Sequence, residues 1–418
     1  MTQTTKRSFL IYAAAYAIVG ATPFLLLPIL TRYLTPQQFG EATSFLVLTG
    51  LLGNFAGLSA HGFVAARFFK SKPTEFGKLV FSSIATLAGM HVIIFVLLAI
   101  SFPLLAKFLG LSIGFGLLAV IAALFLNLNL LFLTISQFSG NPWHYFGARL
   151  LQSMIELSVC IGLIFWVSAN AESRIWSYTV AIAASAAWGF YHCIRRGHIG
   201  NQIEGNAIRS LLVFGLPMLP HVAAGMAISY VDRIVVSSLL GAESLGIYMV
   251  AMQVGMSILA LTEPLNKALA PWLFAQLSNG NVEVKHMVVR RTYQLFAILI
   301  FVGLMVVIIA DLLFDQLIGP HFDMAHNLIP WMVAGFVIQG MYYSVVNYMF
   351  YAEKTGTLSV VTGSVAIVGS LLSYLLTARF GLAGAGVSFV LINSLLLLMV
   401  WIVASKAVPM PWALGIRS

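Results

Sequence analysis

The sequence predicts an all-α polytopic membrane protein, with twelve transmembrane helices in two six-helix lobes related as parallel repeats. Three observations predict it. Of 418 residues, 60% are hydrophobic and only 8% charged, where a soluble domain carries about a quarter charged. Apolar runs long enough to cross a hydrocarbon core of about 30 Å recur twelve times. A segment of the first half also returns in the second.

In chain order the runs fall near 9–31, 42–66, 79–105, 113–138, 147–168, 175–194, 211–240, 244–277, 293–318, 327–352, 357–378 and 381–405. Lys6 and Arg7 precede the first run as they would in a secretory signal, with Ala15, Tyr16 and Ala17 as a small-residue cleavage site. The apolar stretch before that site is too short, and hydrophobicity continues to Leu30, so the run is read as a retained span. Several runs exceed 25 residues, which implies tilt or kinks. Pro23 and Pro28, Pro217 and Pro220, and Pro264 and Pro271 mark the expected bends.

Orientation follows from Lys and Arg, which cytoplasmic flanks retain. With the N-terminus inside, sixteen basic residues flank the spans on the cytoplasmic side, among them Arg67, Lys70, Lys285, Arg290, Arg291 and Lys354. Only Arg32, Lys107, Arg174, Arg233 and Arg379 stand opposite. A multi-pass membrane protein with both termini cytoplasmic is therefore expected. The net charge of +9 is a topology signal first, a site for lipid headgroups second, and gives no reason to expect nucleic acid. Cys160 and Cys193 both lie in apolar spans without CxxC spacing or a Cys/His cluster; no metal or cofactor is expected.

No loop reaches domain size. The longest, roughly Arg195 to Ser210, divides lobes at 1–208 and 209–418. Tyr33–Ala42 (YLTPQQFGEA) lines up with Leu239–Tyr248 (LLGAESLGIY) at an offset of 206 residues. Six spans return the chain to its starting side, so such repeats are parallel, and a binding site between them is expected.

Ionisable residues inside the spans are the candidates for function, because a charge at the bilayer centre costs roughly 2.5–3.5 kcal/mol on insertion scales. Glu263 and Lys267 stand one helical turn apart in the eighth span. They either satisfy each other on one helix face or face a cavity. The repeat offset equates His61 with Lys267, so both halves place an ionisable group at one depth. In the seventh span His221, Gly225, Ile228 and Asp232 share a face, while Arg233 points about 100° away; Asp232 either lines a cavity or forms an end-of-helix ion pair with Arg233. Glu156 has no basic residue three or four positions away, so it is protonated, paired across helices, or part of a cation pathway. Gln339, Tyr343 and Asn347 form an i, i+4, i+8 stripe in the tenth span, and Asn127 and Asn129 add amides to the fourth; these suit sugar hydroxyls or interhelical hydrogen bonds equally. Gly53 and Gly57 form a GxxxG packing motif, and His91 is read as packing. Gly114–Ala119 fits a dinucleotide fingerprint only nominally, since no strand precedes it. Walker A, HExxH and GxSxG motifs are lacking, so no enzyme chemistry is indicated.

Taken in order and spacing, several motifs resemble the oligosaccharide flippases of the polysaccharide transporter family, the Wzx-type O-unit exporters of the MOP superfamily. They are Pro28–Pro36 (PILTRYLTP) with Phe39 and Gly40, Asp232 with Arg233, Asn266, Lys267 and Ala268 with Pro271 and Trp272, and Tyr351 with Lys354 and Thr355. The likeness spans the whole chain. It implies two lobes that carry undecaprenyl-pyrophosphate-linked oligosaccharide to the periplasmic leaflet by alternating access. It further implies Lys267 and His61 as headgroup contacts, Arg32 and Arg233 nearer the outer exit, and Glu263, Asp232 or Glu156 as carriers of a coupling proton or sodium. Membrane lipids and a glycan polymerase are the implied partners. One departure is the first span, whose middle has only Tyr12, Tyr16 and Thr22 as polar residues, where related murein-precursor flippases carry arginine. A multidrug exporter of the same superfamily is the nearest rival, and a membrane enzyme of surface-glycan assembly, a polymerase or acyltransferase, the rival of another class.

Overall fold

The computed structural model describes residues 3–109, 111–278 and 281–412, with side chains left out at 3–9, 103–109, 221, 224, 228 and 268. Lys6, Arg7, Lys107, His221, Ile228 and Ala268, all invoked from sequence, therefore have side chains outside the described set. No strand occurs among the described residues.

The helices are α1 (Gln3–Tyr33), α2 (Pro36–Ala56), α3 (Ala60–Arg67), α4 (Pro73–Leu109), α5 (Ile113–Phe138), α6 (Pro142–Trp166), α7 (Ala171–Arg195), α8 (Gly205–Gly215), α9 (Leu219–Ser278), α10 (Val282–Leu317), α11 (Asp323–His326), α12 (Ile329–Tyr351) and α13 (Thr355–Ala407). Eight are long and apolar enough to span a membrane, or nine with the bent pair α2–α3. Two of these helices hold two spans each. Gly241 (φ 85°) interrupts α9, and Gly381 (φ 59°) interrupts α13, at the left-handed conformation that glycine adopts without a Cβ penalty. With α7, more polar and outside that set, the described residues supply the twelve helices of a twelve-span protein.

The second span is one apolar run in sequence but two helices in space, α2 and α3, bent by 45°. Leu58 (φ 46°) and Ser59 (φ 50°) take left-handed conformations there without being glycine. The repeat offset equates Leu58 with Pro264, yet only the first half breaks its helix there, since Pro264 lies within helical α9. Of the expected bends, Pro217 falls in the 3-10 turn Leu216–Met218 that separates α8 from α9, while Pro23 and Pro28 lie inside α1 and Pro264 and Pro271 inside α9. At the start of α2, Thr35 accepts from the Gln38 amide (3.3 Å), the Gln38 side chain accepts from the Thr35 amide (2.9 Å), and Pro36 fills the first turn. This capping box fixes where the helix begins.

The chain divides into two compact units, Met1–Met226 with Gly241–Gly246, and Ala227–Leu240 with Ile247–Ser418. In the first, α5 packs against α2, α3, α4, α6 and α7. Its buried amides tie helices together: Asn127 Nδ2 donates to the Gly53 carbonyl (2.9 Å) with His91 Nε2 at 3.4 Å, and Asn129 accepts from Ser185 Oγ (2.9 Å). Gly53 and Gly57 leave the space, since a Cβ on Gly57 would lie 2.4 Å from Asn127 Oδ1. In the second unit α12 packs on α10 and α13. There Gly335 and Gly369 admit Phe389 and Ile392, close approaches of the small-residue type common between membrane helices.

Candidate functional site

Within the second unit, a cavity of about 310 Å³ gathers five residues singled out from sequence: Asp232, Arg233, Glu263, Gln339 and Tyr343. Asp232 is buried, 7% exposed. Its Oδ2 accepts from Tyr248 Oη at 2.7 Å, and its Oδ1 accepts from the Arg233 amide at 2.8 Å. The Arg233 guanidinium sits 3.7 Å from Asp232 Oδ1, 3.0 Å from Met252 Sδ and 5.5 Å from the Tyr230 ring centre. The two neighbours thus share one cavity and an ion pair, so both readings of Asp232 meet there, while Arg233 does not point to separate surroundings as a 100° separation predicts. The long arginine side chain folds back along the helix surface.

Ser373 and Asn393 also line this cavity; Ser373 is fully buried and its hydroxyl has no partner among the described residues. Two carboxylates, two amides and several hydroxyls against one guanidinium make an oxygen-rich site, chemically able to hold a small hard cation or a proton. Sequence reading missed Tyr248, Ser373 and Asn393. Tyr248 lies 16 residues beyond Asp232 across the Gly241 break, so helical spacing gives no hint that they meet.

The stripe on α12 divides. Gln339 and Tyr343 line this cavity, whereas Asn347 lines a second, of about 370 Å³, formed by α9, α10 and α12. Eight residues advance about 80° past two full turns, which swings Asn347 to another face. There Asn347 Nδ2 donates to Asn266 Oδ1 at 2.7 Å.

Glu263 and Lys267 are exposed on α9, as are His61 on α3 and Arg32 at the end of α1. His61, Arg32 and Glu156 belong to the first unit, and the other candidates to the second. Glu156 is paired across helices, one of the three states left open by sequence. Arg174 Nη1 of α7 donates to its Oε1 at 2.5 Å, and both side chains are under 10% exposed. Among the described residues no group of three or more His, Cys, Asp or Glu could hold a metal ion.

The family described as "Polysaccharide biosynthesis protein" matches residues 5–277. An uncharacterized membrane protein of Haemophilus influenzae is 25% identical over 358 residues, 84% of each chain. The lipid II flippase MurJ, in its inward closed conformation, has a TM-score of 0.72 at 15% identity, over 94% of this chain and 87% of its own. An inward-facing multidrug resistance MATE family transporter of the MOP superfamily has a TM-score of 0.68 at 14% identity, over 94% and 98%. The fold is shared with these two solved transporters, and the chain belongs to the polysaccharide biosynthesis protein family.

Proposed function

We propose that this protein is a flippase that carries an undecaprenyl-pyrophosphate-linked oligosaccharide, a repeat unit of O-antigen or exopolysaccharide, from the cytoplasmic to the periplasmic leaflet by alternating access. The observation that carries this reading is a polysaccharide-family chain with an exposed ammonium, Lys267, at the end of the apolar span Ser229–Lys267 and eleven residues before the end of α9. An ammonium there is too costly against lipid, and a route wet enough to hold it suits a pyrophosphate. His61, at the repeat-equivalent register, is the matching contact, with Arg32 and Arg233 toward the exit, and Gln339, Tyr343 and Asn347 available to sugar hydroxyls. Asp232 and Glu263, in an oxygen-lined cavity, are the leading carriers of a coupling proton or sodium. Glu156 serves in that role only if Arg174 moves. The basic flanks support cytoplasmic termini, and the flippase role itself implies the inner membrane and work beside a glycan polymerase.

The test is Lys267→Ala at native expression. Loss of surface glycan with unchanged protein level in the membrane is expected; normal surface glycan would sink the assignment. A second reading, export of cationic drugs, draws on the carboxylates Asp232 and Glu263 beside Tyr230, Phe336 and Phe389 in one cavity. Raised drug accumulation in a deletion strain with intact surface glycan would favour it.

A further inference from the structure

The second cavity, among α9, α10 and α12, has one charged end and one hydroxyl- and amide-lined end. At the first, the Arg291 guanidinium lies 5.2 Å from the centre of the Trp272 ring. Stacking occupies a face of the guanidinium and leaves its edge donors for the paired oxygens of a phosphate. Arg291 follows Lys285 and Arg290 at the basic-flanked end of α10, where lipid headgroups lie. From Arg291 the lining runs along α10 through Gln294 to Ile298, about 10 Å of helical rise toward the membrane interior.

At the inner end Thr262 is only 4% exposed, and its Oγ1 has no hydrogen-bond partner among the described residues. Beside it, the Asn347–Asn266 bond uses one donor and one acceptor of the two amides. A buried hydroxyl without a partner is costly, so an acyl chain alone is a poor occupant. We infer that this cavity binds the polar head of an anionic lipid, a phosphate adjoining a hydroxyl-bearing group. The phosphate sits on Arg291, and the hydroxyls sit on Thr262, Asn266 and Asn347. This chemistry has two sources: a bilayer phospholipid with a polyol head, or the saccharide-bearing lipid of the proposed function. Only the second rests on that reading.

Native mass spectrometry of the purified full chain tests it with three probes: phosphatidylglycerol, a polyprenyl-pyrophosphoryl N-acetylglucosamine, and phosphatidylcholine as a phosphate without hydroxyls. At least one hydroxyl-bearing probe is expected to be retained over phosphatidylcholine. Arg291→Gln should weaken that retention about tenfold or more, from loss of a charged hydrogen bond. Arg291→Lys should be intermediate, since the charge stays and the fork is lost. The near-isosteric Thr262→Val should weaken it severalfold and leave phosphatidylcholine unchanged. Dependence confined to phosphatidylglycerol assigns the site to bilayer lipid, and dependence confined to the saccharide probe assigns it to the transported lipid. Equal retention of all three probes by wild type and variants would overturn the inference, whatever export by Lys267→Ala shows.

Discussion

Gly40 and Gly246 stand 206 positions apart and meet backbone to backbone. A Cβ on Gly40 would lie 1.7 Å from the Ala242 carbonyl oxygen, and one on Gly246 would lie 2.0 Å from that of Pro36. The contact is reciprocal: Pro36 and Ala242 are themselves 206 apart, and each glycine's Cβ would lie 3.0 Å from the other's backbone nitrogen. Two segments aligned by sequence thus pack on each other with matching registers, the geometry that an internal repeat produces about a local two-fold axis.

Gly40→Ala and Gly246→Ala should each destabilise the protein by about 1–3 kcal/mol or more, because the obstacle is backbone rather than a flexible side chain. The double variant should cost less than the sum, since one displacement relieves both clashes. Thermal unfolding in detergent measures both. Unchanged melting temperatures in the single variants would refute the contact.

The Glu156–Arg174 pair should respond asymmetrically. Removing one partner, as Arg174→Met or Glu156→Leu, strands a buried charge and should cost about 3–5 kcal/mol. The double apolar variant should regain most of that. Expression level and detergent stability read this out, and a double variant worse than both singles would contradict it.

At the oxygen-lined cavity, Asp232→Asn should abolish the dependence of transport on a proton or sodium gradient in proteoliposomes. Tyr248→Phe, which removes one donor to the carboxylate, should lower stability by about 1.5–3 kcal/mol. Gradient-driven transport that persists in Asp232→Asn would exclude Asp232 as the coupling group.

Ser59 holds φ 50° at the α2–α3 break, and its side chain makes no cap hydrogen bond. Ser59→Gly should therefore be neutral or stabilising by up to about 1 kcal/mol, because glycine adopts this conformation without the Cβ clash. A melting temperature lowered by several degrees would show that the hydroxyl has a role the geometry does not reveal.

His198, in the loop after α7, lies against Phe68 and Phe76 with ring centres 6.0 and 6.3 Å away. Burial, with the nearby Arg196 charge, lowers its pKa below the usual histidine value. The native state therefore favours the neutral ring. Its contribution is complete above the unfolded pKa of about 6.5 and fades as pH falls through the lowered folded value. Stability measured from pH 7.5 to 5 should drop, and His198→Phe should flatten the drop; an identical slope in the variant would assign it to other groups.

The sequence by itself determined the membrane class, the twelve spans and the 206-residue repeat. These rest on local quantities: the length of an apolar run against bilayer thickness, and glycines at the turns. It also named Asp232, Arg233, Glu263, Gln339 and Tyr343, because a polar group inside an apolar run is conspicuous without any structure. Only the tertiary structure decided the partners. Tyr248 reaches Asp232 across a glycine break, Arg174 neutralises Glu156 from the next helix, and Arg291, first a topology marker, stacks on Trp272 at a cavity mouth. Helical spacing fixes which face a residue occupies, but not which helix lies opposite that face. These pairings depend on where the chain folds back, as at Gly241, and on which helices then lie side by side, neither of which the spacing along one helix contains.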